Sequence, residues 1–422
     1  MNDFKTFAFD DAINNAIAEL RYLNPTPIQQ LTIPLILTNH DVMARANTGT
    51  GKTAAFSLPL IQKLISDTKA ESGIKILILA PTRELCRQIH HSICEFSVNT
   101  DIESAMAYGG VSGRTQLSKI TDKTSILVAT PGRLLEHLNN KAFSLSKVNT
   151  LVFDEADRLL DLGFKDEIDR ILAYIPKKRQ NLLFSATFDK TIYSISKRLL
   201  NNPKLVEIEN DSAEQKDQTL IEQHFYTVDQ NRKRELTSYL IGSNNWQRVL
   251  VFVRTKKEAD HLATEMKKDG IPSASFHGDK TQGYREKTLK QFKNNEVRAL
   301  IATDVAARGI DINNLEQVIN YELPYQSEDY IHRIGRTGRA GKKGEAISLV
   351  SYKETWLLES IEKLLKKQII QQWYPGFEPS LNQEQDEKSY HNDPRKKISK
   401  KREREKALGI NKRRVNKFAR RK

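Results

Sequence analysis

Residues 41–66 read DVMARANTGTGKTAAFSLPLIQKLIS, and this stretch decides the fold. An apolar segment leads into a glycine-rich turn, and a segment with helical periodicity follows the turn. At such a strand–loop–helix junction, backbone N–H groups of the turn and of the helix start are unpaired and can surround phosphate groups. The sequence therefore predicts an α/β fold in which a phosphate-binding loop joins a strand to a helix.

The residues of this loop have distinct predicted tasks. The Lys52 amine is expected to reach the β- and γ-phosphates of a nucleotide, and the Thr53 hydroxyl is expected to bind Mg²⁺. A plain glycine turn is the alternative, and the strand and helix on either side of the loop argue against it. The predicted nucleotide-binding residues of the loop are Thr48, Gly49, Thr50, Gly51, Lys52 and Thr53.

Two acidic residues stand at the end of another apolar segment, TLVFDE at residues 150–155. A carboxylate at the carboxyl end of a strand faces the ligand crevice of an open α/β sheet. We therefore expect Asp154 to hold Mg²⁺ and Glu155 to polarise the attacking water in phosphoryl transfer. Acidic residues after a strand also commonly cap a helix. The phosphate-binding loop upstream favours the catalytic interpretation.

Short apolar segments rich in β-branched residues alternate with helical stretches, which predicts parallel sheets covered by helices. A polar segment at residues 209–219 interrupts the alternation and is typical of a linker. The predicted organisation is a first domain at residues 1–208, the linker, a second domain at 220–375 and a flexible basic tail at 376–422. The predicted strands lie within residues 74–80, 125–130, 150–154, 181–187, 248–255, 297–304, 316–322 and 345–351.

The net charge of +14 is concentrated at the carboxyl end of the chain. Residues 394–422 contain 15 Lys or Arg and 2 Glu, whereas the other 393 residues carry 52 basic and 51 acidic side chains. This basic run predicts a solvated end, a polyanion-binding arm or both.

No apolar run approaches the roughly 18 residues of a membrane span, and the N-terminal residues lack the pattern of a secretory signal. Since the 2 cysteines also suit a reducing interior, a cytoplasmic protein is expected.

Residues 154–157 spell Asp-Glu-Ala-Asp. The other motifs around this tetrad are PTPIQ at 25–29, PTREL at 81–85, GG at 109–110, TPGR at 130–133, SAT at 185–187, ATD at 302–304, RGID at 308–311 and HRIGRTGR at 332–339. In these motifs, their order and their spacing the chain resembles the DEAD-box RNA helicases, a family named after the tetrad, from about residue 4 to about residue 365. The resemblance implies two tandem RecA-like domains of the P-loop NTPase fold. It is greatest to short bacterial members of the RhlE type.

The resemblance also implies that the chain hydrolyses ATP with Mg²⁺. Gln29 matches the glutamine that reads adenine, and Phe4 matches the aromatic residue that stacks on the base. Asp311 matches a ribose contact, while Arg336 and Arg339 match the arginines that reach the γ-phosphate from the second domain. The residues implied to couple hydrolysis to domain closure are Asp157, Ser185, Thr187 and His332.

RNA is the substrate that the resemblance implies, single-stranded or in short duplexes, bound through phosphate and sugar without base readout. The implied RNA-binding residues are Pro81, Thr82, Arg83, Gly109, Gly110, Thr130 and Arg133 in the first domain and Arg254, Gly278, Gln282, Arg285 and Thr303 in the second. The expected activity is separation of short RNA duplexes or remodelling of RNA–protein complexes, in ribosome assembly or RNA decay. A monomer is expected, with ribosomal particles or RNA-degradation proteins as partners.

The same residues allow other interpretations. Cys86, His90 and Cys94 share one helix face, which suggests zinc, but a fourth ligand is not evident and core packing explains the helix better. An ATP-dependent RNA clamp would use the same closed state as a helicase, so the sequence does not separate these two functions. The DEAD tetrad and the PTPIQ segment argue against a DNA helicase. Asn47 stands where the family commonly has Gln, which predicts a slightly altered closed state without loss of activity.

Overall fold

The computed structural model describes residues 3–46, 50–67, 71–188, 190–208, 221–307, 312, 315–338 and 343–380. These residues form two compact units, one up to residue 208 and one from residue 221. Each unit contains a seven-stranded sheet whose paired strands are parallel, which confirms the predicted α/β fold class. The predicted linker lies outside the described residues, as does the tail beyond Ser380.

The first unit begins with a short 3-10 helix, Phe4–Phe7. Its strands are β1 Val42–Arg45, β2 Ile76–Leu79, β3 Glu103–Ala107, β4 Thr124–Ala129, β5 Thr150–Phe153, β6 Gln180–Ser185 and β7 Lys204–Glu207. Its helices are α1 Asp11–Glu19, α2 Pro27–Leu37, α3 Lys52–Ser66, α4 Arg83–Phe96, α5 Gly113–Leu117, α6 Pro131–Asn139, α7 Ala156–Asp161, α8 Lys165–Leu172 and α9 Lys190–Leu199. Across the sheet the strands follow the order β3-β4-β2-β5-β6-β1-β7.

The second unit has a sheet of the order β10-β11-β9-β12-β13-β8-β14. Its strands are β8 Ile221–Thr227, β9 Val249–Val253, β10 Ser273–Phe276, β11 Ala299–Thr303, β12 Gln317–Asn320, β13 Gly344–Val350 and β14 Gln371–Gln372. Its helices are α10 Lys233–Ser243, α11 Lys256–Lys268, α12 Gln282–Lys293, α13 Asp304–Ala307, α14 Ser327–Ile334 and α15 Thr355–Leu365, with a short 3-10 helix at Tyr352–Glu354.

The inner strands explain why the sheets could be predicted from sequence. All residues of β2 and β9 are buried, and both strands consist of aliphatic or aromatic residues because helices cover both faces of the sheet. The edge strands β3, β7, β10 and β14 were not predicted, and neither was β8, which lies between β13 and β14. The sequences of the four edge strands, ESAMA, KLVE, SASF and QQ, are short or partly polar, as is usual where one side of a strand has no neighbour.

In the described residues no helix is long and apolar enough to cross a membrane.

The end of the second unit differs from the predicted tail boundary. The stretch 376–380, expected to be flexible, packs against the start of α10. Arg232 donates a hydrogen bond to the carbonyl of Gly376 at 2.8 Å, and its guanidinium lies 4.8 Å from the ring centroid of Phe377. The N–H of Ser380 donates to the Asp229 carboxylate at 3.2 Å. A few aromatic and polar contacts hold this segment, and such contacts leave no periodic pattern in the sequence.

Candidate functional site

The strand order of the first unit separates two groups of predicted site residues along one edge of the sheet. The loops after β1, β5 and β6 carry the nucleotide motifs, and these three strands are neighbours. The loops after β2, β3 and β4 carry the predicted RNA-binding residues, and these strands are neighbours as well. Because paired strands are parallel, the two groups lie side by side at the carboxyl edge, where open α/β sheets bind ligands.

The phosphate-binding loop ends in a left-handed turn. Gly51 has φ +89°, and a Cβ at this position would lie 2.5 Å from Gln29 Nε2, so only glycine fits. Lys52 follows at the first position of α3 and is 6% exposed. Among the described residues its Nζ has no hydrogen-bond partner, which leaves the ammonium available for phosphate. Thr48 and Gly49 of the predicted loop, like Asn47, lie outside the described residues.

Gln29 connects the PTPIQ segment to the loop. Its Oε1 accepts a hydrogen bond from the N–H of Thr26 at 2.8 Å, and its Nε2 donates to the carbonyl of Gly51 at 3.1 Å. The predicted adenine contact of Gln29 would therefore form beside the phosphate-binding turn. Phe4 is only 2% exposed and packs edge-on against Phe7 and Tyr22. Its predicted stacking on a base thus requires a neighbouring side chain to move.

Asp154 and Glu155 lie directly after β5 and are both buried. Burial raises the pKa of Asp154 to about 6, with Lys52 opposing the shift and Glu155 adding to it. Glu155 has φ 51° and ψ 55°, a left-handed conformation that L-residues seldom adopt and that is typical of functional sites. A buried carboxylate beside a buried ammonium suits a cation and the phosphates it accompanies. The donor set of Asp154, Thr53 and Lys52 therefore fits Mg²⁺ and a nucleotide.

Asp157, the last residue of the tetrad, joins the SAT segment after β6. Its Oδ2 accepts hydrogen bonds from the N–H groups of Ala186 and Thr187 at 3.1 Å and 3.2 Å and from Thr187 Oγ1 at 3.3 Å. Ser185 Oγ donates to the carbonyl of Thr187 at 2.8 Å. The structure thus brings together three of the four residues implied to couple hydrolysis to closure.

The predicted RNA-binding residues of the first unit, called the RNA cluster below, follow β2, β3 and β4, and two arginines among them contact the loop after β3. The Arg83 guanidinium lies against Gly110, which has φ +84°. Arg133 Nη1 donates to the carbonyl of Val111 at 3.0 Å and to Gln116 Oε1 at 3.3 Å. Gln116 was not predicted as part of the site. Sequence reasoning missed it because nothing local distinguishes it from other residues of α5.

In the second unit the predicted RNA-binding residues follow β9, lie in the loop and helix after β10, or end β11, and these three strands are neighbours in the sheet. Arg254 directly follows β9, and its guanidinium donates to Glu322 Oε1 at 2.9 Å. Gln282, Arg285 and Thr303 are all less than a tenth exposed. Gly278 is exposed in the loop between β10 and α12.

A buried ion pair that sequence reasoning missed joins the ATD and HRIGRTGR segments. Arg333 is 1% exposed and pairs with the Asp304 carboxylate through Nε at 2.6 Å and Nη2 at 2.7 Å. This pair fixes α14, which carries His332, relative to the end of β11. Arg336 follows α14 and is buried, while Asp311 and Arg339 lie outside the described residues.

The cysteines of α4 have local partners. The thiol of Cys86 is buried and donates to the carbonyl of Val128 at 3.3 Å. Cys94 Sγ lies 3.8 Å from His90 Nδ1. No group of three or more metal-ligating side chains that could hold an ion occurs in the part of the chain described.

Comparison with known proteins gives a helicase family for each unit. Residues 26–195 match the DEAD/DEAH box helicase family, and residues 230–341 match the helicase conserved C-terminal domain. The ATP-dependent RNA helicase CshA of Listeria monocytogenes is 40% identical over 369 residues, which are 87% of this chain and 70% of that protein. The DEAD-box ATP-dependent RNA helicase RhpA of Helicobacter pylori is 39% identical over 389 residues, covering 92% of this chain and 77% of that protein.

Solved structures are similar over most of the chain. Dbp5 of S. cerevisiae bound to RNA and ADP BeF3 has a TM-score of 0.77 at 30% identity, covering 92% of this chain and 98% of that one. Mss116p bound to ssRNA and AMP-PNP has a TM-score of 0.80 at 29% identity, covering 98% and 87%. The closer similarity to RhlE-type members stays a prediction. The chain belongs to the DEAD-box ATP-dependent RNA helicases, an ATP-hydrolysing enzyme with RNA as its partner and ATP and Mg²⁺ as its cofactors.

Proposed function

We propose that this helicase holds RNA along the sugar–phosphate backbone and uses ATP to separate short duplexes or to remodel RNA–protein complexes. The observation that carries the proposal is the strand order of the first unit. Strand β2, with the predicted RNA residues at its end, pairs with β5, which leads into the DEAD tetrad. A change at the phosphate-binding loop can therefore reach the RNA cluster through adjacent, hydrogen-bonded strands.

The nucleotide half supplies the groups that phosphoryl transfer needs. Lys52 would bind the phosphates, and Thr53 and Asp154 would hold Mg²⁺, which neutralises charge on the phosphates when bound. Glu155 would orient and polarise the attacking water. Arg336 and Arg339 would add positive charge at the γ-phosphate, since a guanidinium fork pairs with two phosphate oxygens.

The RNA half supplies groups suited to a backbone and not to base edges. Arg83 and Arg133 would pair with phosphates, and the glycines at 109 and 110 would allow the chain close approach to the sugar–phosphate backbone. Thr130 would add a hydroxyl for a phosphate or a 2′-OH. Such contacts do not distinguish sequences, so any preference for particular RNAs would come from the basic tail or from partner proteins.

We further propose that the enzyme works as a monomer in the cytoplasm, in ribosome assembly or RNA decay. The low cysteine content supports a reducing compartment. The basic run at residues 394–422 supports work on large, highly charged RNA, because it adds a long-range attraction to a nearly neutral core. Crosslinking RNA to the protein in cells and sequencing it tests this assignment.

Glu155→Gln tests the proposed chemistry. The change keeps size and hydrogen bonding but removes the charge that polarises water, so ATP and RNA binding should persist while turnover falls by several orders of magnitude. Glu19→Gln is the matched control, since Glu19 is exposed at the end of α1. Turnover of Glu155→Gln within about threefold of wild type at saturating RNA would place the water-activating role elsewhere.

The same preparations separate duplex unwinding from RNA clamping. A helicase releases one strand of a short RNA duplex in an ATP-dependent reaction, whereas a clamp retains single-stranded RNA when ATP is bound. If wild-type protein retains single-stranded RNA but does not separate a short duplex, the proposed activity is RNA clamping and not duplex unwinding. ATPase stimulation by RNA and not by DNA checks the choice of polymer.

A further inference from the structure

Four charged side chains form a cluster at the carboxyl edge of the second sheet, two of them fully buried and two partly exposed. They are Lys233 at the start of α10, Arg254 after β9, Glu322 after β12 and Glu354 after β13. The side chain of Lys233 is 0% exposed, and that of Glu354 is 1% exposed. Because removing charges from water is costly, such a cluster is retained only where its geometry is well satisfied or has a use.

Lys233 joins two strand ends to a helix. Its Nζ donates to the carbonyls of Tyr321 at 2.9 Å and Leu349 at 2.7 Å and forms an ion pair with Glu354 Oε2. An ammonium has three N–H donors, and all three are used here. Lys233 therefore holds the ends of β12 and β13 together and fixes one oxygen of Glu354.

Glu354 is held from several sides and remains charged. Its Oε1 accepts from the N–H of Leu323 at 3.1 Å, and its Oε2 accepts from the N–H and hydroxyl of Ser351 at 3.1 Å and 2.9 Å. Burial alone would raise the pKa of Glu354, but Lys233 and Arg254 hold the pKa below its ordinary value. A fixed negative charge thus stands 3.4 Å from Arg254 Nη2.

Arg254 is restrained by this charge and by Glu322. Its Nε and Nη2 donate to Glu322 Oε1 at 3.3 Å and 2.9 Å, and its backbone N–H donates to Glu322 Oε2 at 2.7 Å. The guanidinium also lies 5.0 Å from the ring centroid of Tyr325. Within the described part of the chain Nη1 has no hydrogen-bond partner, so this end of the fork remains for another acceptor.

We propose that Lys233 and Glu354 are positioning residues for RNA binding: Lys233 fixes Glu354, and Glu354 with Glu322 aims the Arg254 guanidinium at an RNA phosphate. The inference rests on the proposed function, in which Arg254 contacts RNA. A pair with a purely structural task would affect only the stability of the fold when it is replaced by apolar side chains of similar volume. Positioning by charge would also be lost in that replacement, and RNA affinity would fall.

The test compares stability with RNA affinity in the full-length protein. Lys233→Met combined with Glu354→Met should melt below the wild-type temperature, because the carbonyls of Tyr321 and Leu349 and the N–H groups that Glu354 accepts from lose buried partners. It should still fold, since no buried charge is left unpaired within this pair. The RNA concentration that half-saturates the ATPase should rise about tenfold, the loss expected when one charge-assisted contact is misplaced. The rate at saturating RNA should stay within about twofold of wild type, since the nucleotide site is unchanged. A folded double variant that half-saturates at the wild-type RNA concentration would overturn the proposal.

A second variant decides the matter if the double variant does not fold. Glu354→Gln keeps the shape and the acceptor for Leu323 but removes the charge near Arg254, so half-saturation should rise and Glu354→Asp should recover part of the loss. Equal RNA half-saturation in Glu354→Gln and wild type would also overturn the proposal. Arg234→Met is the control, because it removes a charge from the next residue, which forms a partly exposed pair with Asp269. It should leave RNA half-saturation unchanged.

Arg254→Ala distinguishes failure of this inference from failure of the proposed function. If Arg254→Ala leaves RNA half-saturation unchanged, Arg254 does not contact RNA and the proposed contact falls together with its positioning. If Arg254→Ala weakens RNA binding but the Lys233 and Glu354 variants do not, Arg254 contacts RNA and only the positioning is refuted. If the Lys233→Met/Glu354→Met double variant, Glu354→Gln and Arg254→Ala all weaken RNA binding, both the RNA contact of Arg254 and its positioning are supported.

Discussion

Replacing Gly110 by alanine should displace Arg83 and weaken RNA binding. An added Cβ would overlap Nη1 and Cζ of Arg83 and lie 2.8 Å from Nη2, so the guanidinium has to leave its place. The backbone at Gly110 also has φ +84°, where alanine costs about 1–2 kcal/mol of stability. Because Arg83 is a flexible side chain, the protein should still fold, but the displaced guanidinium should no longer pair with an RNA phosphate.

The size of the effect follows from the strength of this phosphate interaction. A hydrogen bond to a charged group contributes about 1.5–3 kcal/mol, which corresponds to roughly 10- to 150-fold in affinity. Titration of the ATPase with single-stranded RNA should therefore show half-saturation raised by at least about tenfold. ATP affinity measured without RNA should be unchanged, because Gly110 lies in the loop after β3 and Arg83 begins α4 after β2, and neither belongs to the phosphate-binding loop.

Gly163→Ala is the matched control for the backbone strain. Gly163 has φ +82°, nearly the value at Gly110, but nothing lies within 4 Å of the position of an added Cβ. Its melting temperature should fall by a similar amount while RNA half-saturation stays near wild type. Arg83→Ala should weaken RNA binding as Gly110→Ala does, and the double variant should be no weaker than either single variant. RNA binding by Gly110→Ala equal to that of Gly163→Ala would refute the reasoning.

Two further predictions concern charge. Burial raises the pKa of Asp154 from 3.8 to about 6, so the stability that its protonated form provides is complete below about pH 4 and is lost as pH rises through about 6. Without nucleotide and Mg²⁺, Asp154→Asn should therefore melt at a higher temperature than wild type at about pH 7.5, and the two melting temperatures should converge at about pH 4. The change Asp166→Asn, at an exposed position, should show no such difference. An Asp154→Asn variant that melts at or below the wild-type temperature at the higher pH contradicts this prediction. Removing residues 394–422 should flatten the slope of log RNA affinity against log salt by about 3.5, since an arm that engages roughly five phosphates contributes about 0.7 for each. The ATPase rate at saturating RNA should stay near the wild-type rate. An unchanged slope would show that the tail is only a solvated end.

Short-range rules were enough for much of the fold. All inner strands except β8 were predicted, because residues buried on both faces of a sheet are apolar along their whole length, as in VLVFV at 249–253. The phosphate-binding loop was predicted because its glycine and its lysine sit at fixed positions between a strand and a helix. The same rules missed the edge strands, the inner strand β8 and the packed segment at 376–380, since none of their sequences has a long apolar run.

The sequence by itself determined which residues end the strands: Asp154 after β5, Ser185 at the end of β6 and Thr130 after β4. It did not determine which strands are neighbours, because pairing of parallel strands depends on how each crossover helix packs against the sheet. The order β3-β4-β2-β5-β6-β1-β7 is therefore a tertiary fact, and it alone places the RNA cluster beside the nucleotide motifs.

Long-range side-chain contacts were likewise decided only by the tertiary structure. Lys233 and Glu354 are 121 residues apart in the chain, and Gln29 and Gly51 are 22 apart. A local pattern reports burial and backbone conformation, and it contains no information about which polar groups meet after the elements pack. The hydrogen-bond partners of Gln29, Arg133 and Arg254 could be identified only from the packed structure of each unit. A buried polar group bonds to whichever partner lies beside it after packing.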